Sequence, residues 1–256
     1  MDIENNNILI IDTSSTSGSI ALFKGGKCVA EVNEAEVATH GEWLLDSIVK
    51  LLKDSGTSLS EVGFFAMPTG PGSFTGLRVG ITTLKGLAWG AGKDKDNDKK
   101  ILGLSTLRAL AMNIMDNDFD KYKDTLICPV LDARKGDIYG GVYKYDNNGV
   151  MTEVVKDSLV TPEEFVRVIT ACKSDGGLDK VVFTGKGLTT YGEFFAIEQS
   201  DSTQASPDTW NIKASLLGEA VKGGFYTEMT ATEAAPHYLR SGEGTYKKLS
   251  EQVAQN

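Results

Sequence analysis

Histidine is almost missing from this chain: of its 256 residues only His40 and His237 carry an imidazole. They stand far apart in sequence, so no His-x-x-x-His pair is present to set two imidazoles around a metal on one helix face. Cysteine is equally sparse. Cys28, Cys128 and Cys172 are odd in number, widely spaced and include no Cys-x-x-Cys pair, which suits a reducing compartment better than a disulfide framework. We read all three as buried small hydrophobes. No stretch approaches the roughly 20 uninterrupted apolar residues of a membrane span. The opening MDIENNN has no basic flank before an apolar run, so no export signal is read there. The expectation is a cytoplasmic protein with no membrane contact. Cations are also in deficit, with 26 Lys and Arg against 35 Asp and Glu for a net charge of -9. Nucleic-acid affinity comes largely from cations that neutralise phosphates. Any role on RNA or DNA is therefore expected to run through a partner.

What is present reads as an ordinary globular chain, 41% hydrophobic and 24% charged, able to bury one large core or two smaller ones. NILIIDTSSTSGSIALF (7 to 23) is an apolar run, a small-residue turn and a second run, hence a hairpin, and CVAEVNEA continues the sheet. HGEWLLDSIVKLLKDSG places Leu44, Ile48, Leu51 and Leu52 on one helical stripe, with Gly56 as C-cap. VGFFAMPT (62 to 69) is a buried strand. After Gly92, the run KDKDNDKK cannot bury and marks a solvated connector. There the spacing divides the chain into an N-terminal lobe, 1–100, and a C-terminal lobe, 101–256.

In the second part, ILGLS is a strand, and Ser105 N-caps a helix carrying Leu107, Leu110, Ala111, Ile114 and Met115. LICPVLDARKGDIYGGVYKY is a second hairpin. Thr161, Pro162 and Glu164 form a helix start of capping-box type. KVVFTGKG is a strand ending in a glycine turn. NIKASLLGEAVKGG supplies a last helix, about 212–224, expected to pack back on the first lobe, and HYLRSGEGTYKKLSEQVAQN is a polar tail. The hairpins IIDTSSTSGSIALF and VLDARKGDIYGGVY match, with Asp12 and Asp132 each ending an apolar strand. The chain reads as duplicated.

MPTGPGSFTGLRVGITTLKGLAWG (67 to 90) holds glycines at 70, 72, 76, 80, 86 and 90 and invites a phosphate-loop reading. It fits neither common motif. Gly76 is followed by Leu77 and Arg78 where a Walker loop needs Lys and Ser or Thr, and position 75 is threonine where the dinucleotide fingerprint needs its third glycine. What remains is a strand, a Gly-Pro-Gly turn, Ser73 or Thr75 as N-cap, and a helix from about 76 to 90. Leu77, Ile81, Leu84 and Ala88 make one apolar stripe, while Gly80, Thr83 and Leu87 face the other way. A helix with so little polar surface is covered on more than one side. Gly76 and Gly80 stack on one face and admit a close backbone, at a cost of about 1 kcal/mol each in helix propensity. Two readings stay open: packing on the protein's own sheet, or docking of a partner helix.

These segments, GPGSFTGLRVGITTLKGLAWG with IDTSSTSGSIALF, LDARKGDIYGGVY and the late PHYLR, resemble the bacterial TsaB family, formerly YeaZ, over nearly the whole chain. The resemblance implies a two-lobed α/β fold of the actin, hexokinase and heat-shock chaperone (ASKHA) kind, each lobe a mixed sheet with helices. It also implies a role in making threonylcarbamoyladenosine, the modified base beside the anticodon of many tRNAs. In that role the protein is a non-catalytic paralogue of TsaD and partners TsaD and TsaE. It is a homodimer when alone and meets tRNA only through the complex. The implied dimer surface is the glycine-containing helix and the helix before it: Trp43, Leu44, Ser73, Phe74, Gly76, Leu77, Val79, Gly80, Thr83 and Leu87. TsaD carries a metal-binding His-x-x-x-His pair, and here the aligned Ser105–Leu110 holds no histidine. No catalytic residue, metal ligand or cofactor of its own is expected, and ATP or ADP with Mg²⁺ belongs to the assembled complex.

The kinase-like relatives hold nucleotide with hairpin aspartates, turn amides and hydroxyls. By that likeness Asp12, Thr13, Ser14, Asp132, Gly185 and Gly187 are the nucleotide candidates. Against it, Ala133-Arg134-Lys135 stands where a glycine-rich turn would be needed, and Arg134 and Lys135 read better as structural turn residues. The rival readings are a small-molecule kinase or ATPase of the same fold, and an independent dimeric binding module.

Overall fold

A computed structural model describes residues 5–92, 99–114, 119–146 and 148–239. The chain opens on an antiparallel meander, β1 (Asn7–Asp12), β2 (Gly18–Lys24) and β3 (Lys27–Glu34). Helix α1 (His40–Asp54) leads to β4 (Val62–Gly70), parallel to β1, and helix α2 (Phe74–Ala91) leads to β5 (Lys100–Ser105), parallel to β4. Short helices α3 (Thr106–Asn113) and α4 (Phe119–Tyr122) follow. The scheme then repeats. A meander of β6 (Thr125–Arg134), β7 (Asp137–Tyr145) and β8 (Met151–Val160) is followed by α5 (Pro162–Gly176), β9 (Lys180–Thr184), α6 (Leu188–Glu198) and β10 (Ser202–Gln204). Last come α7 (Ala214–Lys222) and β11 (Thr227–Met229). The first sheet runs β11-β5-β4-β1-β2-β3 and the second β10-β9-β6-β7-β8. Two mixed sheets built on one repeated strand order give the α/β architecture that the resemblance implied.

Strand β1 is apolar on both faces because it is central and covered twice. Leu9 and Ile11 join Leu44, Ile48, Leu51 and Leu52 of α1 and Ile81, Leu84 and Ala88 of α2 in one cluster. Helix α7 lies against β1 and β2, where Gly218 leaves room for the ring of Phe23. Its first amides are satisfied from the sheet: Ala214 N–H donates to Ser19 Oγ (2.7 Å) and Ser215 N–H to Glu31 Oε1 (2.8 Å). In the second sheet, Phe183 of β9 stacks on Phe195 of α6 at 4.5 Å, and Phe165 of α5 meets Phe195 edge-on at 6.2 Å. Helix α5 starts at Thr161, whose Oγ1 accepts the Glu164 N–H, with Pro162 in the first turn. Ser105 accepts the Arg108 N–H in the same way.

Three expectations need correction. Residues through Ala109 with Ile212–His237 form one compact unit and Leu110–Asn211 the body of the other, so the division falls inside α3, not at 100/101. The charged run, of which 93–98 lie outside the described residues, leads from α2 into β5 of the same sheet. Its polarity does not mark a border. Second, the cysteines are not all buried: Cys128 is, Cys172 is half-buried, and Cys28 is exposed on β3, the sheet's last strand. Third, α2 begins at Phe74, with Ser73 and not Thr75 as its cap. Met115 and the tail from 240 lie outside the described residues. Among the described residues no helix is long and apolar enough to cross a membrane.

Candidate functional site

The glycine stretch is explained by what it presses on. Strand β1 ends at Asp12, whose Oδ1 accepts the Ser14 N–H at 3.0 Å and bends the chain into the β1–β2 turn. The start of α2 seats on that turn. Ser73 N–H donates to the Ser14 carbonyl at 2.7 Å, and Thr13 Oγ1 donates to the Gly76 carbonyl at 2.8 Å. A Cβ at Gly76 would collide with the Thr13 carbonyl, one at Gly80 with Thr13 Oγ1 and Met67, and one at Gly72 would stand 2.5 Å from the Ser14 carbonyl oxygen. Three glycines spaced four residues apart thus let α2 lie directly on the turn. Gly70 does a related service: its φ of 141° and its missing side chain let the backbone of His237 approach, where His237 N–H donates to the Thr69 carbonyl at 2.8 Å. Of the two readings left open, the geometry is that of packing on the protein's own sheet.

Burial divides the residues of the expected docking surface. Leu44, Gly76, Leu77 and Gly80 are buried within their own unit. Trp43, Val79 and Leu87 are partly buried at the margin of the same cluster, with Thr83 half-buried beside them and Ser73 exposed. Only Phe74 of the expected large apolar residues is open, at 53% exposure, and Arg78 lies over its ring at 3.6 Å. The residues that do face out were missed: Leu45 (48%) and Val49 (59%) on α1, and Trp89 (64%) on α2. With them go Gly86 and Gly90, exposed one turn apart, Gly86 having nothing within 4 Å of its missing Cβ. Leu45 and Val49 sit four apart, one step off the buried stripe, and that spacing was the available signal.

The phosphate candidates separate into two groups, each within one unit. Asp12, Thr13 and Ser14 are buried, and the Thr13 hydroxyl and Ser14 carbonyl are committed to α2. They do not form an open phosphate cradle. Asp132 likewise bends its strand, Oδ1 accepting the Arg134 N–H at 2.7 Å, and pairs with the Arg134 guanidinium at 3.5 Å. Gly185 and Gly187 approach Val130 of β6, whose carbonyl accepts the Gly187 N–H at 3.0 Å. Their glycine character serves the seating of α6. Beside this turn the Tyr191 phenol is pushed up by burial first, then by the carboxylates of Asp132, Asp137 and Glu163. His40 is half-buried at the start of α1, its Nε2 2.8 Å from the Ser15 carbonyl. No group of His, Cys, Asp or Glu among the described residues is arranged to hold a metal.

A family model for TsaD, tRNA N6-adenosine threonylcarbamoyltransferase, matches residues 32–233. The tRNA threonylcarbamoyladenosine biosynthesis protein TsaB of Bacillus subtilis is 33% identical over 63% of this chain and 65% of its own length. The chain thus spans just under two thirds of that relative. The TsaB of Haemophilus influenzae is 28% identical over 96% of this chain and 98% of its own. Among solved structures, YeaZ from Pseudomonas aeruginosa has a TM-score of 0.70 at 26% identity, over 91% of this chain and all of that one. Within the wider family described by the transferase model, this chain belongs to the TsaB (YeaZ) family.

Proposed function

We propose that the protein is a non-catalytic subunit of the assembly that makes threonylcarbamoyladenosine in tRNA, working in the cytoplasm. The outer side of α1 and α2 pairs with a TsaD-type transferase, or with a second copy when no partner is present, and the pair recruits TsaE. The observation that carries this reading is the outer side itself. Leu45, Val49, Phe74 and Trp89 are about half exposed or more on two helices that share one buried cluster. Large apolar side chains left exposed on two helices in contact with each other support an interaction site. Gly86 and Gly90 leave α2 low enough there for a partner helix to come close. The non-catalytic part is supported by the β1–β2 turn, whose hydroxyl and carbonyl are committed to α2, and by a sequence with only two histidines. ATP or ADP with Mg²⁺ is assigned to the assembled complex. The net charge of -9 puts tRNA contact on the partner.

Depletion of the protein should lower threonylcarbamoyladenosine in bulk tRNA, measured by mass spectrometry of digested tRNA. An unchanged level with the protein absent would overturn the pathway. ATP turnover by the purified chain alone would overturn the non-catalytic role.

A further inference from the structure

We propose that a groove between the β3–α1 loop and α1 receives an arginine-bearing segment of the partner subunit. This rests on the docking role given above to the α1–α2 side and adds the partner's chemistry. The groove has a volume of about 450 Å³, and Val37 and Trp43 line it together with Glu34, Glu36, Glu42 and Asp46. It is preformed on both sides. The Trp43 indole lies against Gly18, where a Cβ would stand 2.5 Å from a ring carbon, and Val37 N–H holds the loop to the Thr16 carbonyl at 2.8 Å.

The charge around it is of one sign. No lysine or arginine lines the groove, and among the described residues none of the four carboxylates makes an ion pair or hydrogen bond. Elsewhere in the same unit Glu31, Glu61, Glu219 and Glu233 all have partners. Four uncompensated carboxylates repel phosphates and RNA. Among the described residues no group of carboxylates is arranged to hold a metal ion. A guanidinium suits both kinds of lining: its plane stacks on an indole while its N–H groups reach carboxylates. Leu45 and Val49 continue along α1 from the groove, so a segment lying on that helix reaches it.

The test uses the full chain and the TsaD of the same cell, titrated by calorimetry at low and high salt. Glu36→Lys/Glu42→Lys changes exposed side chains, and Glu193→Lys/Glu198→Lys makes the same change in net charge on exposed α6 positions. The groove variant should bind TsaD about tenfold more weakly at low salt, the gap closing at high salt, while the control variant binds like the parent. If both variants weaken equally, or the groove variant binds as the parent does, the groove proposal falls and the docking reading stands. Tighter binding by the groove variant would show an anionic occupant and overturn it as well. If the parent chain does not bind TsaD, the docking reading falls and the groove proposal with it.

Discussion

The two hairpin turns start alike and finish differently. Asp12 ends β1 and Asp132 stands two residues before the end of β6, and each accepts the N–H two residues on, at 3.0 and 2.7 Å. The first turn then disappears under α2, with Thr13 and Ser14 buried. The second stays open, and Arg134 and Lys135 adopt left-handed φ values of 67° and 59°. In both units the helix after the fourth strand of the repeat enters on glycines, but α2 presses on the turn itself and α6 on Val130, two residues before Asp132. Duplication thus kept the strand order while the helix entry shifted. One turn is core and the other surface, and in the first the Thr13 hydroxyl and the Ser14 carbonyl are packing contacts of α2.

The largest test of that contrast is Gly76→Val. Its added carbons have no space against the Thr13 carbonyl, and overpacking costs about 1–3 kcal/mol or more. The first unit should melt well below the parent by circular dichroism. A parent-like melting temperature would show that the turn is not sealed by the glycines. Gly80→Leu should act in the same direction, since its side chain would enter the Thr13 and Met67 contact. Lost folding, and not lost dimerisation alone, is the expected result. An intact monomer would return the glycine face to the docking surface.

Gly86→Leu should separate the inner from the outer face of α2. Nothing stands near its missing Cβ, so about 1 kcal/mol of helix propensity is gained and the melting temperature holds or rises. Docking should suffer nonetheless. Capture of TsaD and self-association, read by light scattering, should both fall; unchanged association would move the docking site off α2.

These reversals show where sequence reading stopped. The strands, the α1 stripe, the Thr161 cap and the internal repeat are local patterns, set by apolar periodicity and by capping residues within a turn of their targets. The partner of Gly76 is Thr13, 63 residues earlier. Periodicity says that Gly76 and Gly80 share a face, but not what the face meets. Helix α2 made this worse by being apolar around much of its girth, with Leu77, Ile81 and Leu84 on the buried stripe, Val79 and Leu87 beside it at the margin of the same cluster, and charge only at Arg78 and Lys85. The division inside α3 is a matter of tertiary contact and leaves no compositional mark.

The smallest effect is the most direct comparison of the two turns, because one kind of substitution should have opposite signs in them. Lys135 is exposed and holds a left-handed φ of 59°, a conformation that costs a side-chain-bearing residue about 1–2 kcal/mol and glycine almost nothing. Lys135→Gly removes that cost but adds about 0.5–1 kcal/mol of unfolded-state entropy. A net gain of up to about 1 kcal/mol should remain. Ser15 lies in the first turn outside the left-handed region, and its Oγ accepts the Ser17 N–H at 3.2 Å and meets the Ser17 hydroxyl at 2.7 Å. Ser15→Gly therefore relieves no strain, removes those bonds and carries the same entropic cost. It should destabilise by about 1 kcal/mol. Urea denaturation of the two variants beside the parent reads both signs. If Lys135→Gly also destabilised the chain, the open turn would be held by contacts of its lysine and the contrast between a surface turn and a core turn would fail.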